Sequence, residues 1–208
     1  MKLNNIKLKK TLPFFSYIFH PIFIPIIGTG FYIHYSNDFY NKESYFLLFF
    51  QVVIITFLLP LSFFYLLQTF GKVDNLMLSD ASQRKMPLLM QIALTFILIN
   101  KSVTIDQFPE LFFFFLGGIG STLMAFALIY TKIKASIHMI AISALSFFVI
   151  GLSIHNELNI VNTIATLFLT TGIIATSRLY MKAHSMEELL IGYLAGMLPQ
   201  VVLWVIWL

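Results

Sequence analysis

Residues 111–131 read LFFFFLGGIGSTLMAFALIYT and contain no Asp, Glu, Lys or Arg. About 20 apolar residues in helical form cross the hydrocarbon core of a bilayer, which is about 30 Å thick. The run is apolar throughout and lacks the alternation of polar and apolar residues that is typical of a barrel strand. This stretch therefore predicts a helix in a membrane protein.

Six further stretches also lack charged residues: 11–37, 44–71, 86–100, 135–156, 158–177 and 189–208. The stretch 86–100 is short, but Arg84, Lys85 and Lys101 flank it with long aliphatic stems that reach the interface. We predict an all-α, polytopic membrane bundle of about seven transmembrane helices, forming one domain over residues 1–208. Gly192-x-x-x-Gly196 predicts a face where two helices approach closely.

The composition agrees with this fold class. Of 208 residues, 59% are hydrophobic and 11% are charged, whereas charged residues make up about a quarter of a typical soluble domain. The chain has 23 Phe and no Cys. These values exclude a soluble enzyme, a disordered chain and a disulfide scaffold, and they argue against nucleic-acid binding. We expect membrane lipids as partners, and a homo-oligomer or a larger membrane complex stays open.

Lys and Arg are distributed unequally between the two predicted faces of the bundle. With seven helices, eleven of them fall on the face that holds the N-terminus and the loops at 71–86, 131–135 and 178–187. Only Lys42 and Lys101 fall on the opposite face. Because positive residues concentrate on the cytoplasmic side, we predict that this basic face and the N-terminus are cytoplasmic, in a bacterial inner membrane.

Three polar clusters lie at the basic face, although they are far apart in the sequence: DASQRKMP at 80–87, KASIH at 134–138 and SRLYMKAHSMEE at 177–188. Arg84 and Arg178 offer planar, bidentate donors for phosphate oxygens. His138 and His184 have imidazoles whose ordinary pKa, near 6.5, suits proton transfer or nucleophilic attack. The clusters predict one composite anion site.

Two further residues have more than one interpretation. Glu188 lies four residues after His184, so its carboxylate can orient that imidazole if the last helix begins near Ser185. Ser185 and Glu188 also fit a capping box, so helix capping alone is the alternative. His20, followed by Pro21 in the first apolar stretch, is interpreted as a buried, hydrogen-bonded histidine, and the prolines there predict a kinked helix.

The third cluster resembles the third signature of the phosphatidic acid phosphatase type 2 superfamily, S-R-x5-H-x3-D, with Glu188 in place of Asp. The residues ASIH at 135–138 are similar to the second signature, P-S-G-H. Arg84 and Pro87 are similar to the end of the first signature, K-x6-R-P, with Met77 at the Lys position. The resemblance covers a phosphatase-like core of about 72–196, with an extra helical hairpin at about 87–131.

The resemblance implies metal-independent, cofactor-free hydrolysis of a lipid phosphate such as phosphatidate, phosphatidylglycerophosphate or a polyprenyl phosphate or diphosphate. It implies that His184 forms a phosphohistidine, that Glu188 orients His184 and that His138 protonates the leaving group. It also implies a set of phosphate-binding residues: Arg84, Arg178, Ser136, Lys85 and Lys134. In this set, Lys85 or Lys134 would replace the lysine that is missing from the first signature.

Other functions stay open at this point. The altered first and second signatures favour a non-catalytic relative that acts as a subunit or lipid-binding partner in a membrane complex. Glu187-Glu188 is similar to the paired glutamates of prenyl-protein-processing metalloproteases, but the Arg expected after them and an H-E-x-x-H motif are absent. A transporter is the last alternative, although the chain shows no internal repeat.

Overall fold

The computed structural model describes residues 13–36, 42–74, 80, 82–131 and 133–208. Within these ranges the chain forms helices and no strand, which confirms the predicted all-α class. The main helices are α1 (Ile24–Tyr35), α2 (Lys42–Thr69), α3 (Lys85–Lys101), α4 (Pro109–Tyr130), α5 (Ile137–His155), α6 (Val161–Tyr180) and α7 (Met186–Trp207).

Four of the described helices, α2, α4, α5 and α7, are long and apolar enough to cross a membrane. α1 and α3 are shorter, with 12 and 17 residues. α6 has 20 residues, but Asn162, Arg178 and several threonines make it more polar. The prediction of a helical membrane protein is consistent with these four helices, and the count of about seven spans stays a prediction.

The chain bends immediately before α1. Residues 13–18 are helical, His20 is extended with ψ 138°, and Pro21–Phe23 form a single 3-10 turn. A proline drives the residue before it out of the helical region, because its ring collides with that residue's backbone. The predicted kink is therefore confirmed, and it brings His20 and the turn against α5.

A second irregularity lies in the middle of α2. Ile54–Leu58 form a π-helical segment, in which the N–H of Leu59 donates to the carbonyl of Ile54. Pro60 follows directly; it has no N–H and its ring crowds the carbonyl four residues earlier, which explains the wider turn. The π-helical segment therefore divides α2 into two halves.

The centre of the bundle is α5, which packs against α7, α4 and α6. Gly192 and Gly196 of α7 face α5 at very short range. A Cβ atom at Gly196 would overlap the carbonyl of Ile140 and the Oγ of Ser143, and one at Gly192 would lie 2.7 Å from the carbonyl oxygen of Ser136. The predicted close approach at these glycines is confirmed.

Candidate functional site: a cavity where helix ends converge

The starts of α3, α5 and α7 meet the end of α6 at one end of the bundle. Arg84 is the N-cap residue of α3, and its Nη1 donates to the carbonyl of Ala135 at 3.0 Å. The backbone N–H of Ser136 donates to the carbonyl of Glu188 at 3.1 Å. Direct contacts therefore join the three polar clusters that lie far apart in the sequence.

A cavity of about 230 Å³ extends from this end into the bundle. Arg84, His138, Arg178 and His184 all line it, and each is at most 7% exposed. These are the two guanidinium groups and the two imidazoles that the sequence places at one site. Three helix N-termini point toward the same end, and they add partial positive charge that favours an anion.

The His184 ring is held by its Nδ1 atom. Nδ1 lies 2.9 Å from Oε2 of Glu188 and 3.1 Å from the carbonyl oxygen of Lys134. Both partners are acceptors, so Nδ1 carries the proton and Nε2 has a lone pair. Nε2 makes no hydrogen bond within the described part of the chain. His184 lines the cavity, whereas its two Nδ1 partners do not.

Glu188 performs both roles that the sequence allows. Its Oε2 accepts the hydrogen bond from His184 and also accepts from the backbone N–H of Ser185 at 3.2 Å. The Oγ of Ser185 accepts in return from the N–H of Glu188 at 3.2 Å, which completes the capping box of α7. The capping box therefore fixes the position of the Glu188 carboxylate, and this carboxylate in turn fixes the orientation of the His184 imidazole.

The surroundings keep His184 neutral. Burial lowers the pKa of His184 to about 4; the hydrogen bond to Glu188 opposes this effect, and the charges of Arg178 and Arg84 add to it. Burial and the neighbouring Arg178 also lower the pKa of Arg84, which still carries its charge at neutral pH. The cavity therefore presents a neutral, unprotonated nitrogen beside two cations.

His138 is engaged differently. Its Nε2 lies 3.0 Å from the carbonyl oxygen of Ser16, so Nε2 carries a proton that is donated to the backbone. Its ring also meets the ring of His20 edge-on, with the centroids 5.5 Å apart. In this arrangement the Nε2 proton of His138 is directed at Ser16 and not at the cavity.

His20 is the lining residue that the sequence analysis did not assign to the site. The N–H of Ile22 donates to its Nδ1 at 3.3 Å, so it is hydrogen-bonded as predicted, but it lines the cavity. An ionisable residue inside an apolar stretch is by default a functional candidate. That rule, applied to His20 as it was to His138, is the signal that could have identified it.

Three predicted phosphate-binding residues do not line the cavity. Lys85 places its Nζ 4.8 Å from the ring centroid of Tyr130, and Lys134 donates from Nζ to the carbonyl of Ala183 at 3.4 Å. The Oγ of Ser136 is fully buried beside the cavity and has no hydrogen-bond partner within the described residues. Met77, at the Lys position of the first signature, lies outside the described residues.

Among the described residues, no group of three or more His, Cys, Asp or Glu side chains is placed to hold a metal ion. The donors on the cavity wall suit an anion, since guanidinium groups bind phosphate and carboxylate oxygens. Comparison of the chain with protein-family models, with curated proteins and with solved structures finds no match.

Proposed function

We propose that this protein is a membrane lipid-phosphate phosphatase of the phosphatidic acid phosphatase type 2 kind. One observation carries the proposal: His184, whose Nδ1 is held by Glu188 and whose Nε2 makes no hydrogen bond among the described residues, lines a cavity that Arg84 and Arg178 also line. A nucleophile, a group that orients it and donors for a charged substrate are the parts that covalent phosphoryl transfer needs.

In the first step, Nε2 of His184 attacks the phosphorus atom. An N–P bond forms, and the bond between phosphorus and the lipid oxygen breaks. The ring becomes cationic, which the carboxylate of Glu188 stabilises through Nδ1–H. Arg84 and Arg178 stabilise the charge on the phosphoryl oxygens, where such donors contribute most to catalysis.

In the second step, water attacks the phosphohistidine, the N–P bond breaks, and inorganic phosphate leaves. His138 acts in the imidazolium form, which the negative charge of a bound phosphate favours: once its ring exchanges the bond to Ser16 for one to the substrate, it protonates the lipid oxygen in the first step and becomes neutral. The neutral ring then takes the proton of water in the second step and becomes the imidazolium again. Supporting this role, it lies on the cavity wall in contact with His20.

The membrane arrangement belongs to the same proposal. Seven segments cross the membrane, namely α1 together with the helical residues 13–18 before it, and α2 to α7. The end that carries the cavity lies on the cytoplasmic side of a bacterial inner membrane. The excess of Lys and Arg at this end supports the orientation. Because the chain has no Cys, single cysteines at Ala183 and Ser102 can be labelled with an impermeant reagent in intact cells. Ser102 should react from outside and Ala183 should not; the reverse pattern would contradict the orientation.

The activity is tested with purified protein in nanodiscs and a panel of lipid phosphates. Wild-type protein should release inorganic phosphate, and ³²P-labelled substrate should leave a protein-bound label that survives base and is lost in acid, as a phosphoramidate does. His184→Ala should abolish both signals. His34→Ala is the matched control, because His34 is an exposed histidine of α1 that does not line the cavity.

If wild-type protein is inert across the panel while binding lipid phosphates, the non-catalytic alternative replaces this proposal. If His184→Ala retains wild-type release and remains folded by circular dichroism, His184 is not the nucleophile. Retained release in His34→Ala together with loss in His184→Ala supports the assignment.

A further inference from the structure

The cavity has two chemically different ends. The ionisable lining side chains are gathered at the end where the helices begin: His20, Arg84, His138, Arg178 and His184. Beyond them the wall is formed mainly by apolar groups of α1 to α5, among them Pro60 and Phe64 from the second half of α2. Such a division matches a ligand with a charged head and an apolar tail.

The polar side chains in the deeper part make hydrogen bonds within the protein. Thr122 donates from Oγ1 to the carbonyl of Gly118 at 2.7 Å, and Ser121 donates from Oγ to the carbonyl of Gly196 at 3.4 Å. Gln91 donates from Nε2 to the Oγ1 of Thr95 at 3.3 Å. Because these groups bond to the protein itself, the deeper wall offers little to water and accepts hydrocarbon.

The cavity extends along α3. Its lining runs along α3 from Arg84 to Thr95, which at 1.5 Å per residue is about 16 Å. The floor is formed by Phe114 and Phe115, which are 5% and 3% exposed. A volume of about 230 Å³ lies below the roughly 300–1,000 Å³ of pockets that enclose drug-sized ligands, so there is room for one apolar chain and not for two.

We infer that the ligand of this site is a phosphate ester or diphosphate with a single apolar chain, which enters the bundle and reaches toward Phe114. This inference rests on the proposed function for the chemistry at the head, and it adds a substrate class and a chain-length limit. A two-chain lipid such as phosphatidate is disfavoured, because its second chain has no space inside.

Gly118 lines the apolar part of the cavity, which we call the tail pocket. It lies one helical turn from Phe114 toward the charged end and lines the cavity, and a Cβ atom there would meet nothing within 4 Å. Gly118→Leu should therefore fold and should fill the tail pocket. Gly172 on α6 is the matched control, since a Cβ atom there also meets nothing within 4 Å and Gly172 does not line the cavity.

The experiment measures binding of a series of non-hydrolysable n-alkyl phosphonates to the protein in nanodiscs by calorimetry. In wild-type protein each added methylene should tighten binding about fourfold until the chain reaches the floor, after which the affinity levels off. In Gly118→Leu the affinity should level off at a shorter chain, and the longest phosphonate should bind at least about tenfold more weakly. Gly172→Leu should match wild type, and a dialkyl glycerol phosphonate should bind more weakly than the best single-chain ligand.

A chain-length profile that Gly118→Leu leaves unchanged, or tighter binding of the dialkyl ligand, would overturn the single-chain inference. Because binding needs no turnover, this result is independent of phosphate release. Loss of the hydrolytic activity alone would contradict the proposed function, and loss of the chain-length limit alone would contradict the inference.

Discussion

The two ends of the bundle each carry a histidine–carboxylate pair. At the cavity end, Nδ1 of His184 lies 2.9 Å from Oε2 of Glu188, with the His side chain 2% exposed and the Glu side chain 26% exposed. At the opposite end, Nε2 of His155 lies 3.5 Å from Oε1 of Glu110, with the His side chain 37% exposed and the Glu side chain 11% exposed. The burial of the two partners is reversed.

A histidine–carboxylate pair is not by itself a catalytic site. His184 lines a cavity with two guanidinium groups, whereas His155 packs its ring against Trp207 and lines no part of that cavity. The Oε2 of Glu110 is buried without a hydrogen-bond partner among the described residues, so there the carboxylate is the more buried member of the pair. Surrounding charge and space distinguish a nucleophile from a structural contact.

The largest effect on activity is expected for Glu188→Gln, and Glu110→Gln is the matching variant at the opposite end. Glu188→Gln should lower phosphate release by about 10²- to 10⁴-fold, because an amide no longer stabilises the cationic ring. Gln also serves in a capping box, so α7 should keep its start. Glu110→Gln should retain activity near wild type. Phosphate release and thermal unfolding of both variants would check this, and equal losses of activity would remove the distinction between the ends.

A second contrast concerns helix packing at the two ends. Gly192→Ala should destabilise the protein by about 1–3 kcal/mol, because the new methyl group meets the backbone of Ser136, which cannot move without disturbing α5. Gly151→Ala meets the outer ring atoms of Trp204 and Trp207, which can shift, and Ala is favoured over Gly in a helix by about 1 kcal/mol. Its cost should be smaller. Chemical unfolding of both variants in the same detergent tests the order, and a greater cost at Gly151 would contradict it.

Sequence patterns locate the helices well because exclusion of charge from an apolar environment is a local property. The uncharged stretch 135–156 coincides with α5, Ile137–His155, and the short stretch 86–100 coincides with α3, Lys85–Lys101. The number of membrane spans is less certain from the same pattern. α6 lacks charged residues up to Arg178 but contains threonines that bond to their own helix, so uncharged length alone overstates its apolar character.

The sequence predicts the site less well where a residue's role depends on the direction in which its side chain points. Two neighbouring residues on a helix point about 100° apart, so Arg84 turns toward the cavity while Lys85 turns toward Tyr130. Composition cannot distinguish these two basic residues. The position of His20 depends on the bend at Pro21 and on how that bend packs against α5, and neither the bend's direction nor its partner can be derived from a single sequence.

The third prediction concerns pH. With its pKa lowered to about 4, His184 binds fewer protons in the folded protein than in the unfolded chain between pH 4 and 6.5. Its contribution to stability is therefore present above pH 6.5 and lost as the pH falls toward 4. Arg84→Gln removes one of the nearby positive charges, so the pKa of His184 should rise above about 4. The pH range over which the folded protein binds fewer protons than the unfolded chain should then become narrower at its acidic end.

Two measurements check the pH prediction. Thermal unfolding across pH 4 to 7 should show a smaller loss of stability in Arg84→Gln than in wild type. The acid limb of kcat/KM, which reports the ionisation of the free enzyme, should move to higher pH. Lys101→Gln, at the other end of α3, is the control for loss of one positive charge, and an equal shift in that variant would contradict the assignment to Arg84.

The smallest effect is expected at Lys85, next to Arg84 in the chain. Lys85→Met should change phosphate release by less than about threefold, since the ammonium group lies over Tyr130 and not at the cavity. The cost in stability should be about 0.5–1 kcal/mol, the usual range for an exposed cation–π contact. Arg84→Met, tested in parallel, should lose most of the activity, because its side chain lines the charged end of the cavity. Similar losses in the two variants would mean that the ligand approaches α3 from the side of Lys85 and Tyr130, and the difference in direction between these neighbours would then carry no functional meaning.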